Sequence, residues 1–269
     1  MKLERVRGAA LLALVLSATA SSVAAQTAEQ PLLVFSTFGG YIGGARLWRL
    51  DNQLAATWTG IDSLTLGRVF VPGFALGMGV SLFRSPHWGY NAEIAFLGTT
   101  TESRCNPAGT FKPDTAHMNQ YACQDIQGTL IRTNLVAVQG GLIWRPISSG
   151  TAQPYLRGSV GAAIVGGSFV QTSGSFSPTE GRLVYLDEEK RQGLTWVATL
   201  GAGAILEVSP AYQFRFELRD LVFNVPVVTG PANYLALEPW AELGHKTVHL
   251  PAITVAFDIS LERRRTRRY

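Results

Sequence analysis

Between Tyr212 and Arg219 the sequence reads Y-Q-F-R-F-E-L-R. Arg215, Glu217 and Arg219 alternate in charge on every second residue, with aromatic and aliphatic residues between them. Residues two apart share a face only in an extended chain, so this is one β-strand with a charged face and an apolar face. Four more charges, Glu93, Arg157, Glu207 and Asp258, sit on the polar parity of other alternating runs. The chemistry open to these seven residues is mutual pairing. A buried unpaired charge is costly, and arginines brought against carboxylates satisfy one another. A charge network of Glu93, Arg157, Glu207, Arg215, Glu217, Arg219 and Asp258 is therefore expected, with Glu207 and Asp258 as the natural partners of the arginines on the central strand.

Other reactive residues are sparse. The two cysteines, Cys105 and Cys123, lie in a polar segment without a CxxC spacing or a clustered histidine. In an exported chain they are expected to form a disulfide. The four histidines, His87, His117, His245 and His249, form no metal-ligand spacing. No nucleophile elbow, HExxH or P-loop is present. Neither a metal nor a cofactor is expected.

The charged strand belongs to a hairpin. Leu194 to Val208 alternates, Ser209-Pro210-Ala211 turns, and Tyr212 to Phe223 alternates again. One face of each run is a band of Leu, Phe, Trp, Tyr and Val; the other mixes charges with Gly and Thr. In a soluble sheet the apolar face is the inner one, whereas a membrane barrel points it outward and keeps a polar lumen. Runs of this length exceed the usual strand of about 5–6 residues and approach the 9–11 or so that cross a bilayer. Similar runs are predicted at Leu32–Ile42, Val69–Phe83, Gly89–Thr100, Gly128–Trp144, Pro154–Phe169 and Thr247–Leu261. A bulge is expected near Asn134 or Gly140, and Pro72 fits only a bulge or a strand end. The segments between runs alternate long and short: 43–68, 101–127, 170–193 and 224–246 are long, while 84–88, 145–153 and 209–211 are short. Long loops at one end and short turns at the other are the pattern of an up-and-down barrel. Trp48, Trp88, Tyr90, Trp144, Tyr155, Trp196 and Tyr212 fall near predicted strand ends, where aromatic girdles form.

The N-terminus has a charged start, an apolar stretch from Gly8 to Ala20 and a small-residue site ending at Ala25, which predicts a signal peptide over residues 1–25. The barrel is then expected over 26–261 and a basic tail over 262–269. Charged residues make up only 16% of the chain and glycines number 28, leaner in charge and richer in glycine than a soluble domain. The net charge of +4 owes much to the arginines of the tail, so it does not point to nucleic acid.

These features resemble the eight-stranded outer-membrane β-barrel family, the OmpA/OmpX-like and opacity-protein-like group. The likeness is carried by the signal Met1–Ala25, by the alternating runs and by Tyr212–Asp220 (Y-Q-F-R-F-E-L-R-D), which looks like that group's seventh strand. It implies an all-β antiparallel barrel of about eight strands in the outer membrane of a Gram-negative bacterium. Its partners would be outer-membrane lipids, the insertion machinery and an extracellular ligand or host surface of unknown kind. The expected role is structural, or a platform for loop contacts, without catalysis; a narrow pore for small solutes and a lipid-modifying enzyme are the alternatives. Some lipid-A deacylases of this architecture use a His-Ser-Glu set, but here His249 is followed by Leu-Pro, and Glu238 and Glu242 have no serine nearby. His249 is expected to be a rim residue. Members of the group usually end on an aromatic residue closing the last strand, whereas here Leu261 is followed by E-R-R-R-T-R-R-Y. That stretch is expected to be a solvated tail, with contact to anionic lipid headgroups as the alternative.

Overall fold

The computed structural model describes residues 32–56, 61–112, 115–170, 172–177, 181–186, 193–229, 232–233 and 241–261. The predicted signal peptide, the basic tail and Glu238 lie outside them. Eight strands make the wall: β1 (Leu32–Ile42), β3 (Ile61–Phe83), β4 (Trp88–Lys112), β6 (Leu135–Trp144), β7 (Ala152–Val165), β10 (Leu194–Glu207), β11 (Tyr212–Thr229) and β13 (Ala241–Ser260). Each pairs antiparallel with the next, and β1 pairs with β13, so the sheet closes on itself. Closure leaves no unpaired edge, which is what a strand-built wall needs inside a bilayer.

Short turns join β3 to β4, β6 to β7 and β10 to β11 at one end. The described chain ends meet at that same end, where Leu261 N–H donates to the Leu33 carbonyl at 2.9 Å. The opposite, loop end is more structured than the sequence implies. The predicted long link 43–68 contains a strand, β2 (Ala45–Ala56), that pairs with the outer half of β3. The predicted link 101–127 contains the outer part of β4 and a helix, α1 (Met118–Ile126). The third long link holds the hairpin β8 (Thr172–Ser177) and β9 (Gly181–Leu186). Much of the fourth continues β11 and β13, and it also holds the short β12 (Ala232–Asn233), which pairs parallel with β2. Strands β3 and β4 run 23 and 25 residues, well beyond what a bilayer crossing requires.

The predicted irregularities fall close to where the sequence places them. The fourth run breaks at Thr133-Asn134, between the short β5 (Leu130–Arg132) and β6. Pro72 sits where the β3–β4 register slips between Val71 and Phe74. That slip turns Phe70 inward although Phe74, Leu76, Met78 and Val80 point outward. The outer surface of the ring is apolar: Tyr90, Ile94 and Phe96 on β4, Leu156, Val160 and Ile164 on β7, and Phe214, Phe216 and Leu218 on β11 are all exposed. An exposed band of this size is a lipid-facing surface. Trp88 and Trp144 face each other at 6.0 Å at the turn end, and Tyr212 stacks on Phe257 at 5.7 Å, a girdle where the band meets water.

Candidate functional site

Positions that face away from the apolar band meet inside the ring, and they fill it in three tiers. The middle tier is charged. Arg157 lies 2.5 Å from Glu93 and 2.9 Å from Glu217. Arg219 lies 3.0 Å from Glu217 and 3.3 Å from Glu93. Arg215 lies 3.3 Å from Asp258 and 3.9 Å from Glu217. Three arginines and three carboxylates thus balance, and every one is buried. Glu217 is the hub: besides three guanidinium groups it receives a hydrogen bond of 2.5 Å from the Tyr155 hydroxyl.

Backbone register brings these groups together. Asp258 pairs with Gln213, two residues along from Arg215, and Glu217 pairs with Gly203. Glycines on β10 make the room. A Cβ at Gly201 would lie 2.6 Å from Glu217 Oε1, and one at Gly203 would lie 2.0 Å from the Phe216 carbonyl oxygen and 2.9 Å from the Tyr155 ring. The small residues facing the charged strand are therefore part of the site. Around it, Thr199 donates to Gln139 at 2.7 Å and Asn91 to Ser159 at 3.3 Å. The Arg219 guanidinium lies 4.6 Å from the Phe38 ring centroid.

Glu207 departs from the expectation. It stands near the turn end and accepts a hydrogen bond from Gln153 at 3.3 Å, while Arg215 and Arg219 turn to Asp258, Glu217 and Glu93. Glu207 and Asp258 pair with the same residue, Gln213, from opposite sides of β11, and Arg215 turns to the Asp258 side. Two residues expected in the girdles are also elsewhere. Tyr155 is in the lumen, as its shared parity with Arg157 signals. Trp48 is buried at the loop end and donates to the Phe169 carbonyl at 2.8 Å.

The other two tiers are apolar. At the turn end Val34, Phe83, Ile143, Tyr155 and Ile205 cluster, with the Arg145 guanidinium 3.7 Å from the Phe83 ring centroid. A void of about 10 Å³ beside Arg215 and Asp258 has room for no more than about one water. Toward the loop end Phe70, Phe169 and Phe223 form a triad with centroids 5.9 to 6.1 Å apart. This triad continues into a larger core with Trp48, Leu66 and Leu250. Sequence reasoning, which expects a polar lumen throughout, misses this tier. Cys105 and Cys123 are bridged, with Cα atoms 5.3 Å apart, and tie α1 to β4 above it. Buried Arg68 donates to the Ser168 carbonyl and to Ser103 Oγ, both at 3.2 Å.

A closed antiparallel ring with an apolar exterior and a charged interior is a membrane wall. The chain is a barrel of the outer-membrane type. No family model and no curated protein matches the sequence. Among solved structures it is similar to the outer membrane protein OprG from Pseudomonas aeruginosa, at 12% identity over 85% of this chain and 96% of that one, with a TM-score of 0.45. It is similar to outer membrane protein AlkL at 10% identity over 92% and 98%, TM-score 0.44. The outer membrane protease OmpT from Escherichia coli matches at 10% identity over 90% and 100%, TM-score 0.43.

Proposed function

We propose that this protein is a closed outer-membrane barrel that anchors and presents a folded cap on the cell exterior, and that it neither conducts nor catalyses. Residues 1–25 act as its export signal and 262–269 as a basic tail at the inner face; the outer-membrane insertion machinery and the surrounding lipid are its obligatory partners. The observation that carries this reading is the middle tier, a balanced cluster of six buried charges spanning four strands. Charges that line a wet channel are solvated and need no partner of opposite sign. Here each has one, in a barrel whose strand number leaves an interior just wide enough for side chains. The ordered loop end, with its helix, hairpin and disulfide, supplies a surface for contact with an extracellular ligand.

Among the described residues no catalytic set supports an enzyme. His249 pairs with Asp220, and the H-x-S spacing is absent. Reconstitution in planar bilayers tests the proposal: the intact protein should give no steady conductance. A large, stable, ion-selective conductance would overturn it in favour of a passive pore.

A further inference from the structure

On the outside of β11 the apolar series Phe214, Phe216, Leu218 is interrupted by Asp220, and on β13 the series Val255, Ile253, Pro251 is interrupted by His249. By parity both face the lipid side, not the lumen. They pair there, His249 Nδ1 lying 2.6 Å from Asp220 Oδ2, with side-chain exposures of 66% and 39%. A carboxylate on the lipid face is costly except near the edge of the apolar band, and charges kept there are functional candidates. Asp220 is eight residues beyond Tyr212 of the turn-end girdle. That is about 26 Å along the strand and roughly 20 Å of height at the usual tilt, which places the pair close to the loop-end edge of the band.

Beside this pair the outer wall carries a groove of about 720 Å³. One side is a row in direct cross-strand register, from Leu156 through Ala202, Leu218 and Ile253 to Tyr41. The other side is the next row, where Leu200 pairs with Asp220 and Asp220 with Pro251. Between the rows lie Gly201 and Arg219; the Arg219 side chain enters the lumen, so its backbone faces outward. The groove is therefore long, apolar and oblique to the strands. Of the charged residues along it, Arg157 and Arg219 turn their side chains into the lumen, which leaves the Asp220 carboxylate, 39% exposed, at the wall. A carboxylate held against lipid with one histidine partner gains from a second donor.

We propose that this groove binds one membrane lipid of the leaflet at the loop end. An acyl chain lies between the two rows, and an N–H or O–H of the headgroup donates to the exposed edge of the Asp220 carboxylate, which His249 holds in place. The site is continuous with the lipid-facing band, so it rests on the membrane-spanning reading above. The test uses the full protein in vesicles of phosphatidylethanolamine, or of phosphatidylcholine with the same chains, each doped with its own diazirine-acyl analogue. Crosslinks are mapped by mass spectrometry.

In phosphatidylethanolamine the adducts should favour Leu200, Ala202 and Leu218 about tenfold over Met78 and Ile94 on the β3–β4 side of the ring, the scale of one hydrogen bond to a charged group. Phosphatidylcholine, which has no donor, should lose that preference, as should Asp220→Ala. Ala202→Trp, which fills the groove, should lose it in both lipids. If Asp220→Ala fails to insert, Asp220→Asn carries the test with a smaller fall in the same direction. Even labelling around the whole belt, or equal preference with both headgroups, would overturn the lipid site and leave the barrel assignment standing. No labelling of any belt residue would overturn both.

Discussion

Glu217 and Phe223 lie six residues apart on the same face of β11, yet their surroundings have nothing in common. Around Glu217 the lumen is held by arginines and a tyrosine; around Phe223 it is held by rings, with Phe70 and Phe169 at 6.0 and 6.1 Å. The outside changes in step. At the level of Glu217 the neighbours on the outer face are Phe216 and Leu218, both exposed. Beyond Phe223, β13 shows His245, Lys246 and Thr247 at its surface while Val248 is buried, and β4 shows Arg104 while Cys105 is buried. A single strand thus follows two opposite rules. Within the bilayer the solvent is apolar and polar groups go inside. Past the interface the solvent is water and apolar groups go inside. The pleat continues unbroken, and only the chemistry of its two faces exchanges.

The two regions differ in what a deletion leaves behind. Glu217→Ala removes the hub and leaves three buried arginines with two carboxylates. Breaking a buried ion cluster from one side costs about 3–5 kcal/mol, and this is the largest loss expected of any single change here. Urea unfolding from vesicles, followed by tryptophan fluorescence, measures it. Adding Arg219→Met rebalances the charge and should recover about 2 kcal/mol of that loss, a coupling within the range for residues in direct contact. If the double variant is no better than the single one, the cluster is not held by pairing.

Phe223→Ala probes the ring tier by the same assay. It leaves a cavity, not a charge, and should cost about 3 kcal/mol, with Phe223→Leu restoring most of it. No companion substitution of opposite charge should help. A salt-dependent loss at Phe223 would break the distinction between the tiers.

Above the rings, replacing both Cys105 and Cys123 by serine removes a bridge across 18 residues of sequence. In the chain-entropy model that is about 3 kcal/mol, but it acts on the cap alone. Hydrogen exchange should quicken in α1 and the outer part of β4 while the ring strands keep their protection. Loss of protection in β10 or β11 would mean that cap and barrel unfold as one unit.

The exchange of faces also explains what the sequence shows and what it hides. Inside the band, alternation is long and sharp, and the start and end of β1 are legible to the residue. So are the inward parity of Arg215, Glu217 and Arg219, the turn at Ser209–Ala211 and the break near Asn134. Past the interface the same alternation continues with its character reversed, so Val69 and Thr100 read as strand ends although β3 and β4 run on. Pairing partners are hidden for a different reason. Parity says that a charge points inward, but its height in the ring depends on register, which links residues far apart in the chain. Asp258 and Glu207 look equivalent in sequence and share the register partner Gln213; the direction the Arg215 side chain takes separates them.

That separation sets the smallest effect. Glu207→Gln keeps the length and the hydrogen-bonding capacity of a side chain whose described contact is the Gln153 amide at 3.3 Å. An amide at this position can meet Gln153 as the carboxylate does. None of Arg157, Arg215 and Arg219 pairs with Glu207, so no buried guanidinium loses a counter-charge. The side chain is only partly buried, and a change of this kind costs less than about 1 kcal/mol. The same substitution at Glu217 strips the charge from the hub and should cost several times more. Measuring both Glu→Gln variants in one unfolding assay isolates position from chemistry, since the atoms exchanged are identical. Equal losses would show that Glu207 shares the network after all and that the charged tier reaches the turn end.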